Sequence, residues 1–242
     1  MNDFTNATCL VTGGASGLGR AVCERLTGAG ATVLLTDYNP AGQAVAEEIG
    51  AQFVQLDVSD NTQWQRMAAE IKELDYLHLN AGIQAAPPDS PLAEYAFEQV
   101  SLDNYRKMMG VNVDGVVFGL RNMLPVLKQG GAVVVTSSLA GITPYAVDPL
   151  YAMSKHAVSG LVRSVAGPLA KQGLRINALC PGGIDTNIIP HEQKTAAAEF
   201  MEPAHVAEEV LNLFTTEENG KTWAKVSTQK PAWIIRAPGD RG

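Results

Sequence analysis

Short apolar runs alternate with helical patterns along nearly the whole chain. The runs are apolar at almost every position, which is typical of strands covered on both faces of a parallel sheet. Strands that alternate with helices form right-handed βαβ units. The pattern therefore predicts an α/β fold, a Rossmann-type doubly wound open parallel sheet of about seven strands with helices on both faces. The predicted strands begin at Ala7, Ala31, Ala51, Asp75, Ala132, Leu174 and Thr222.

The helical patterns fill the intervals between these runs. No linker, internal repeat or low-complexity tract interrupts the 242 residues, so we expect 1–242 to form a single domain. The predicted helices are Leu18–Thr27, Ala41–Ile49, Asn61–Lys72, Asp103–Lys128 and Leu150–Lys171, with one more near Ala204–Phe214.

Two segments fit the alternation poorly, and each follows a predicted strand end. Gln84–Ser101 contains three prolines, and Asn187–Pro203 precedes the last predicted helix. Ligands of open α/β sheets bind beyond the carboxyl ends of the strands. We therefore expect both segments to contact a ligand, with 187–203 as a substrate loop and 229–242 as a C-terminal tail. Solvated surface loops are the alternative.

Composition and charge exclude several classes of partner. The net charge of −7 argues against nucleic acid or an anionic membrane as the main partner. No run approaches the ~18 apolar residues of a membrane span, and the first residues lack the pattern of a signal peptide. Cys9, Cys23 and Cys180 have no metal-ligand spacing and sit in apolar surroundings. We expect a cytoplasmic protein without a metal site and with reduced core cysteines; a redox role is the alternative.

A glycine-rich turn, TGGASGLG, joins the first strand to the first helix. Glycines allow a tight turn and the close approach of a pyrophosphate to the helix N-terminus, where free N–H groups favour anions. A glycine cluster alone is weak evidence, and its place between strand and helix strengthens it. The turn predicts cofactor contacts at Gly13, Ser16, Gly17, Leu18 and Gly19.

The second strand ends at Asp37, eighteen residues after Gly19. An acid there accepts hydrogen bonds from the adenosine ribose hydroxyls and repels a 2′-phosphate. Neither Ser16 nor Tyr38 supplies a cation for such a phosphate, so NAD is the expected cofactor rather than NADP. The alternative is a turn aspartate, because Asn39-Pro40 follows directly.

The third and fourth strands also end in residues suited to the adenosine half of a cofactor. Asp57 and Val58 end the third strand, and Asn80, Ala81 and Gly82 end the fourth. Asp57 is expected to accept from the adenine amino group, and the other segment to bring its backbone against adenosine. Each segment taken alone is equally compatible with a simple turn.

A tyrosine and a lysine share one face of the helix that follows the fifth strand. Tyr151 and Lys155 are four residues apart, and Ser138 ends the preceding strand. Tyrosine has a pKa near ~10, and lowering it by about 3 requires roughly 4 kcal/mol. A nearby ammonium and a positive nicotinamide ring supply this stabilisation. Tyr151 then takes the proton of an alcohol, while Ser138 donates a hydrogen bond to the substrate oxygen. The Tyr-x-x-x-Lys pattern alone is common on surface helices.

Taken together, these motifs resemble the short-chain dehydrogenase/reductase family in its single-domain form. The resemblance runs from about Thr8 to Thr186, with the motifs in the order of the family. It rests on TGGASGLG, the acid after the second strand, Asp57-Val58, Asn80-Ala81-Gly82, Asn112, Ser138, Tyr151, Lys155 and Pro181-Gly182-Gly183.

The resemblance implies further roles that the residues alone do not establish. It implies that Asn112 holds a kinked helix and a water that links Lys155 to solvent. It also implies that Lys155 holds the nicotinamide ribose, and that Ile184 and Thr186 contact the carboxamide. The cofactor residues implied near the active site are Tyr151, Lys155, Pro181, Gly183, Ile184 and Thr186, although the Pro-Gly-Gly segment is also compatible with a plain turn.

Some positions depart from the family pattern. Leu79 replaces the first asparagine of the usual Asn-Asn-Ala-Gly, with little effect expected. Pro168 should kink or end its helix. The ending KPAWIIRAPGDRG differs from the usual glycine-rich one, which puts C-terminal subunit contacts in doubt. The SSLAG, LYAMSKH and ENGKTWAKVST segments are similar to those of hydroxyprostaglandin dehydrogenase relatives, a likeness too loose to name a substrate.

Three further side chains require a choice between packing and function. We interpret His156 as a packing or surface residue and His78 as a buried, satisfied histidine. Tyr145 lies in the segment after Ser138, where contact with the substrate and a purely structural role are equally compatible with the sequence.

The sequence therefore predicts an NAD-dependent oxidoreductase that acts on a small-molecule secondary alcohol or ketone. A carbonyl reductase working mainly in the reductive direction and a non-catalytic nucleotide-binding protein are the alternatives. Aromatic residues of the flanking segments suggest an apolar substrate: Tyr95, Phe97, Phe200 and Trp233.

A homodimer or homotetramer is also expected, from small or apolar residues on more than one face of the two longest predicted helices. Tight packing within one subunit is the alternative. The residues are Gly115, Val116, Gly119, Ala152, Ala157, Gly160 and Ala166.

Overall fold

Eight strands form one sheet in the computed structural model, which describes residues 3–194 and 199–236. The strands are β1 (Thr8–Thr12), β2 (Thr32–Asp37), β3 (Gln52–Gln55), β4 (Leu74–Leu79), β5 (Leu127–Thr136), β6 (Arg175–Pro181), β7 (Thr222–Lys225) and β8 (Trp233–Ile235). Their order is β3-β2-β1-β4-β5-β6-β7-β8, and all neighbours pair in parallel except β7 and β8. The order reverses between β1 and β4, the position where doubly wound folds bind ligands.

Seven α-helices flank the sheet in the described part of the chain. They are α1 (Gly17–Gly28), α2 (Gly42–Ile49), α3 (Asn61–Glu70), α4 (Leu102–Met109), α5 (Gly115–Met123), α6 (Pro149–Ala170) and α7 (Pro203–Thr215). Both faces of the sheet bury an apolar layer, which explains why the strands are apolar at nearly every position. Val22 and Phe214 lie in the layer beneath α1 and α7, whereas Trp64 and Val162 lie beneath α3, α5 and α6. The predicted fold class is confirmed.

The sheet has one strand more than the sequence predicted. β8 runs antiparallel to β7 within the segment interpreted as a tail, 229–242, whose residues 237–242 lie outside the described part. Buried Lys225 holds the connection, because its Nζ donates to Glu209 Oε1 and to the Lys230 carbonyl oxygen, both at 2.8 Å. β8 has only 3 residues, too few for a periodic pattern to indicate a strand.

The predicted helix Asp103–Lys128 was wrong in its interior and at its end. A π-helical turn, Gly110–Asp114, separates α4 from α5, and α5 ends at Met123. Pro125 explains the ending, because it has no N–H to donate to the preceding turn of the helix. Lys128 belongs to β5, which begins five residues before the predicted start at Ala132. α6, in contrast, continues through Pro168 and ends two residues later.

Residues assigned to packing lie where the sequence placed them. The three cysteines are buried and free, and burial raises the pKa of Cys9 to about 12. His78 is fully buried, and burial lowers its pKa to about 3, so the ring is neutral. Its Nε2 lies 2.8 Å from the Thr136 hydroxyl, but its Nδ1 has no partner among the described residues, so the expectation that both ring nitrogens are satisfied was wrong. His156 is exposed, with its Nδ1 2.9 Å from the Ala152 carbonyl oxygen.

Among the described residues, no helix combines the length and apolar character needed to cross a bilayer.

Candidate active site

One cavity of about 850 Å³ lies along the carboxyl ends of the parallel strands. It extends from the glycine turn after β1 to the N-terminal part of α6. Every predicted cofactor and catalytic residue lines it except Gly19 and Asn112, which lie behind its wall. Parallel strands bring their carboxyl ends to a single edge, so side chains distant in sequence meet there.

The glycine turn has the backbone shape that its residues predict. Gly13 and Gly17 have φ values of +66° and +52°, in the left-handed region that favours glycine. A Cβ at Gly19 would collide with the carbonyl oxygen of Gly13, which explains why this position needs glycine although it does not line the cavity. Ser16 makes no side-chain capping bond to a described residue, so the first N–H groups of α1 are available to an anion. The turn therefore fits a pyrophosphate.

Asp37 lies at the end of β2 with its carboxylate fixed by two backbone N–H groups. Oδ2 accepts from Ala15 at 3.0 Å and Oδ1 accepts from Asn39 at 2.9 Å. These bonds leave a lone pair on each oxygen for further donors. Ser16 and the exposed Tyr38 line the same end of the cavity, and neither carries a positive charge.

Asp57 and Asn80 use their side chains mainly within the protein. Asp57 Oδ1 accepts from the backbone N–H and the hydroxyl of Ser59, at 2.9 and 2.6 Å. Asn80 Nδ2 donates to the Thr12 carbonyl oxygen at 3.0 Å, and its Oδ1 accepts from the Thr136 hydroxyl at 3.2 Å. Asn80 therefore ties β1, β4 and β5 together at the edge of the cavity.

Tyr151 and Lys155 are brought together with Ser138 by α6 and the end of β5. Tyr151 is 8% exposed and Lys155 is 2% exposed. Lys155 Nζ donates to the Thr136 carbonyl oxygen at 3.0 Å and lies 5.6 Å from the centre of the Tyr151 ring. Ser138 Oγ accepts from the Ala140 N–H at 3.1 Å, and the Ser138 side chain is also a hydrogen-bond partner of the Tyr151 hydroxyl.

Burial dominates the electrostatics of this pair. It lowers the pKa of Lys155 to about 8 and raises the pKa of Tyr151 well above its usual value, with the Ser138 hydroxyl acting in the opposite direction. The lowered tyrosine pKa expected from the sequence is therefore not found in the chain alone, because desolvation outweighs the lowering effect of the Ser138 hydrogen bond. A positive group bound beside Tyr151 is required to lower that pKa.

Asn112 lies in the π-helical turn between α4 and α5, where the resemblance implies a kinked helix. Its Oδ1 accepts from the Ile83 N–H at 2.8 Å, and its Nδ2 donates to the Ile83 carbonyl oxygen at 2.9 Å and to Ser154 Oγ at 3.0 Å. A Cβ at Gly82 would lie 3.1 Å from Lys155 Nζ and 3.4 Å from Asn112 Oδ1. Gly82 therefore leaves room for both side chains.

Asp148 is a positioning residue that the sequence reasoning missed. It is buried, and its carboxylate accepts from the Tyr151 N–H at 2.9 Å and from the Ala85 N–H at 2.8 Å. The signal was present, because Asp before Pro149 is typical of a helix N-cap. The cap fixes where α6 begins and hence where Tyr151 lies.

The two predicted ligand segments form the outer wall of the cavity. Gln84 contributes from the first segment, and Tyr145 lines the cavity beside it. The second segment contributes Gln193 and Phe200, with residues 195–198 outside the described part. Among the four aromatic residues taken as signs of an apolar substrate, only Phe200 lines the cavity.

The last part of the predicted cofactor site follows β6. Pro181, Gly183, Ile184 and Thr186 line the cavity, and a Cβ at Gly17 would lie 2.9 Å from Thr186 Cγ2. The two turns therefore face each other across the bottom of the cavity. No group of three potential metal ligands is found within residues 3–194 and 199–236.

A cavity of this form at the switch point of a doubly wound sheet defines a nucleotide-binding α/β enzyme. The chain belongs to the short-chain dehydrogenase family, whose model matches residues 7–197. It is therefore an oxidoreductase that acts on alcohols or ketones with a nicotinamide cofactor, NAD or NADP.

Individual relatives support this assignment. The 2,5-dichloro-2,5-cyclohexadiene-1,4-diol dehydrogenase of Sphingobium indicum is 36% identical over 199 residues, which cover 78% of this chain and 77% of the relative. Human 15-hydroxyprostaglandin dehydrogenase [NAD(+)] is 34% identical over 204 residues, which cover 76% and 71%. The likeness to hydroxyprostaglandin dehydrogenases expected from the sequence is thus confirmed.

A solved structure with the same fold holds NADPH, whereas the prostaglandin dehydrogenase is named for NAD(+). The crystal structure of BdcA in complex with NADPH superposes with a TM-score of 0.82 at 26% identity, covering 93% of this chain and 95% of that chain. The relatives therefore include both an NAD-linked enzyme and an NADPH complex.

The burial of Lys155 makes a testable prediction about stability. Its pKa is about 8 in the folded chain against an ordinary value of 10.5, so the unfolded state binds more protons between these values. The penalty of burying the ammonium is full below about pH 8 and disappears as the pH rises through this window. Lys155→Met should therefore gain stability relative to wild type at about pH 7 and lose that relative gain at about pH 10.

Urea denaturation at both pH values measures this difference. Lys171→Met is the matched control, because Lys171 is exposed at the end of the same helix and should show no such pH dependence. A Lys155→Met difference that is the same at both pH values would contradict a buried ammonium.

Proposed function

We propose that the protein is an NAD-dependent dehydrogenase or reductase of secondary alcohols and ketones. The observation that carries the proposal is the buried pair Tyr151 and Lys155 beside Ser138, in the same cavity as the carboxylate of Asp37. A bound nicotinamide ring supplies the acceptor or donor of the hydride. The residues of the chain supply binding, orientation and the movement of a proton.

Tyr151 holds the proton that the substrate oxygen loses or gains. Burial keeps its hydroxyl protonated in the chain alone, which suits donation to a carbonyl oxygen. Removing a proton from an alcohol requires positive charge near the phenol, and Lys155 is the side chain placed to contribute it. Ser138 donates its hydroxyl proton to the same substrate oxygen and stabilises the charge that develops there.

Lys155 and Asn112 lie side by side next to Gly82 and support this proton movement. Lys155 would hold the nicotinamide ribose, and in the chain alone its Nζ donates to the Thr136 carbonyl oxygen. Asn112 keeps the π-helical turn joined to Ile83 and Ser154, so the wall behind Lys155 is fixed. The remaining residues of the proposed site are the cofactor contacts that the sequence predicts.

The carboxylate of Asp37 supports NAD as the cofactor. It is held by Ala15 and Asn39, so it cannot easily turn away from a 2′-phosphate. Neither Ser16 nor Tyr38 carries a positive charge that would offset the repulsion between this carboxylate and a 2′-phosphate. Leu139, Ala140 and Ile188 give the substrate end of the cavity an apolar stretch of wall, which supports a substrate with an apolar part.

Copies of the chain are proposed to associate as a homodimer or homotetramer through α6. Packing within the subunit accounts for Gly115, Val116, Gly119, Ala152 and Ala166, which are buried, so those five no longer support an interface. Ala157 and Gly160 remain at the surface beside exposed Met153, on one face of α6. An apolar face of this kind is commonly covered by the same helix of a second copy.

The first test removes the hydroxyl of Tyr151. Tyr151→Phe should lower turnover of any accepted alcohol by at least about 100-fold, because it removes the proton acceptor, while NAD binding stays near wild type. Steady-state kinetics and calorimetric titration with NAD measure the two effects. Tyr76→Phe, in the aromatic cluster with Phe4 and Phe214, is the control and should keep its activity. Comparable turnover in Tyr151→Phe would remove this residue from the mechanism.

The second test concerns Asp37. The wild-type enzyme should prefer NAD over NADP by at least about tenfold in kcat/KM, which needs only ~1.4 kcal/mol. Asp37→Ala should narrow that ratio, because it removes both the repulsion and the ribose acceptor. Asp57→Ala is the comparison and should leave the ratio unchanged, since the Asp57 carboxylate is engaged by Ser59. A wild-type preference for NADP would refute the assignment.

The third test concerns association. A Cβ at Gly160 meets no atom within 4 Å, so Gly160→Glu fits the subunit and should disturb only a contact with a second copy. Light scattering should report at least twice the 25.7 kDa chain mass for wild type and a lower mass for the variant. Gly28→Glu, at an equally open position at the end of α1, should keep the wild-type mass. A wild-type monomer would reject the proposal.

A further inference from the structure

Three polar side chains meet at the outer end of the cavity, and none of them belongs to the catalytic group. Gln84 follows β4, Tyr145 lies between β5 and α6, and Gln193 lies in the segment after β6. The Tyr145 hydroxyl donates to Gln193 Oε1 at 2.7 Å. Gln84 acts on the same hydroxyl, because its side chain is a second hydrogen-bond partner that opposes the rise of the Tyr145 pKa on burial. We name these three residues the distal polar cluster.

Two atoms of the distal polar cluster have no partner among the described residues. They are Gln84 Oε1, an acceptor, and Gln193 Nε2, a donor, and both are buried. Gln84 as a whole is only 8% exposed. A buried polar atom without a partner costs about 1–3 kcal/mol, so protein interiors seldom retain one without a use. The two atoms flank the same phenol and line the same cavity.

The position of the cluster relates it to the reacting end of the substrate. The Tyr145 ring lies edge-on to the Tyr151 ring, with 6.1 Å between their centres. The walls near it include apolar Leu139, Ala140 and Ile188. The distal polar cluster therefore lies next to Tyr151 in the cavity, and apolar side chains line the wall around both.

The two unpartnered atoms, Gln84 Oε1 and Gln193 Nε2, determine which chemical group of a ligand fits the distal polar cluster. A hydroxyl is able both to donate to an acceptor such as Gln84 Oε1 and to accept from a donor such as Gln193 Nε2. A carbonyl or ether oxygen only accepts and leaves Gln84 Oε1 without a partner. A methylene leaves both atoms without partners.

We propose that the distal polar cluster binds a second hydroxyl of the substrate, remote from the carbon that reacts. The inference rests on the proposed function and narrows its substrate class to diols and to the hydroxyketones formed from them. Tyr145 orients the two glutamines, and the glutamines make the contacts that determine specificity. A site built to bond a substrate hydroxyl discriminates strongly against the analogue that lacks it.

Matched pairs of alcohols test this proposal. Cyclohexanol is compared with each positional isomer of cyclohexanediol, in both cis and trans forms, by following reduction of NAD. At least one diol should exceed cyclohexanol by at least about tenfold in kcat/KM. Gln84→Leu should reduce that advantage at least about tenfold while leaving cyclohexanol unchanged or improved, because the variant no longer buries an unpartnered acceptor.

Two further variants provide an independent test and a control. Gln193→Leu should reduce the same advantage independently, so the test survives if Gln84→Leu fails to fold. Gln172→Leu is the matched control, because Gln172 is exposed between α6 and β6, away from the cavity. It should keep the wild-type ratio of diol to monool.

A binding measurement separates failure of this inference from failure of the proposed function. Calorimetry with Tyr151→Phe and NAD should detect the preferred diol more strongly than cyclohexanol, without any turnover. Turnover with no preference for any diol would overturn the inference and leave the proposed function standing. Selective diol binding without wild-type turnover would overturn the proposed function alone, and absence of both would overturn both.

Discussion

The hydrogen bond from Lys155 to the carbonyl oxygen of Thr136 is the contact on which the site depends. A buried ammonium is costly without a partner, and this oxygen at the end of β5 supplies one. The hydroxyl of the same threonine donates to Asn80 Oδ1, so it accepts from Nε2 of the neutral His78. Thr136 thus joins the central strands to the helix that carries Tyr151, and His78 gains a role beyond packing.

Burial sets the balance of charge around that contact. The same desolvation that lowers the pKa of Lys155 raises that of Tyr151, so burial shifts each group towards its uncharged form. A site prepared in this way responds strongly to a positive charge placed beside it. The protonation of Tyr151 and Lys155, which share one face of α6, is therefore linked to the binding of the proposed cofactor.

The parts of the site that the sequence predicted depend on local spacing. Gly13 and Gly17 follow a strand directly, and Tyr151 and Lys155 share a helix face. The parts it missed depend on contacts between remote positions. Asp148 reaches Ala85 across 63 residues, and Tyr145 reaches Gln193 across 48. No periodic pattern records such pairs.

The same distinction explains which strands and helices the sequence predicted and which it missed. Long apolar strands were recognised because both of their faces are buried. β8 was missed because three residues carry no period, and the end of α5 was misplaced because Pro125 outweighed the helical pattern around it. Five of the small or apolar residues on α5 and α6 pack within the subunit, because close packing inside a subunit and between subunits selects the same side chains.

The short antiparallel β8 has a consequence for how copies of the chain meet. A sheet edge with a long row of free backbone groups invites pairing with another strand, and natural proteins shorten or cover such edges. Here β7 is covered, and the strand that replaces it at the edge is 3 residues long. Extension of the sheet from one molecule to the next at this edge is thereby disfavoured. The ion pair of Lys225 and Glu209 fixes the connection that leads to this strand, so it helps to keep the short strand at the edge of the sheet.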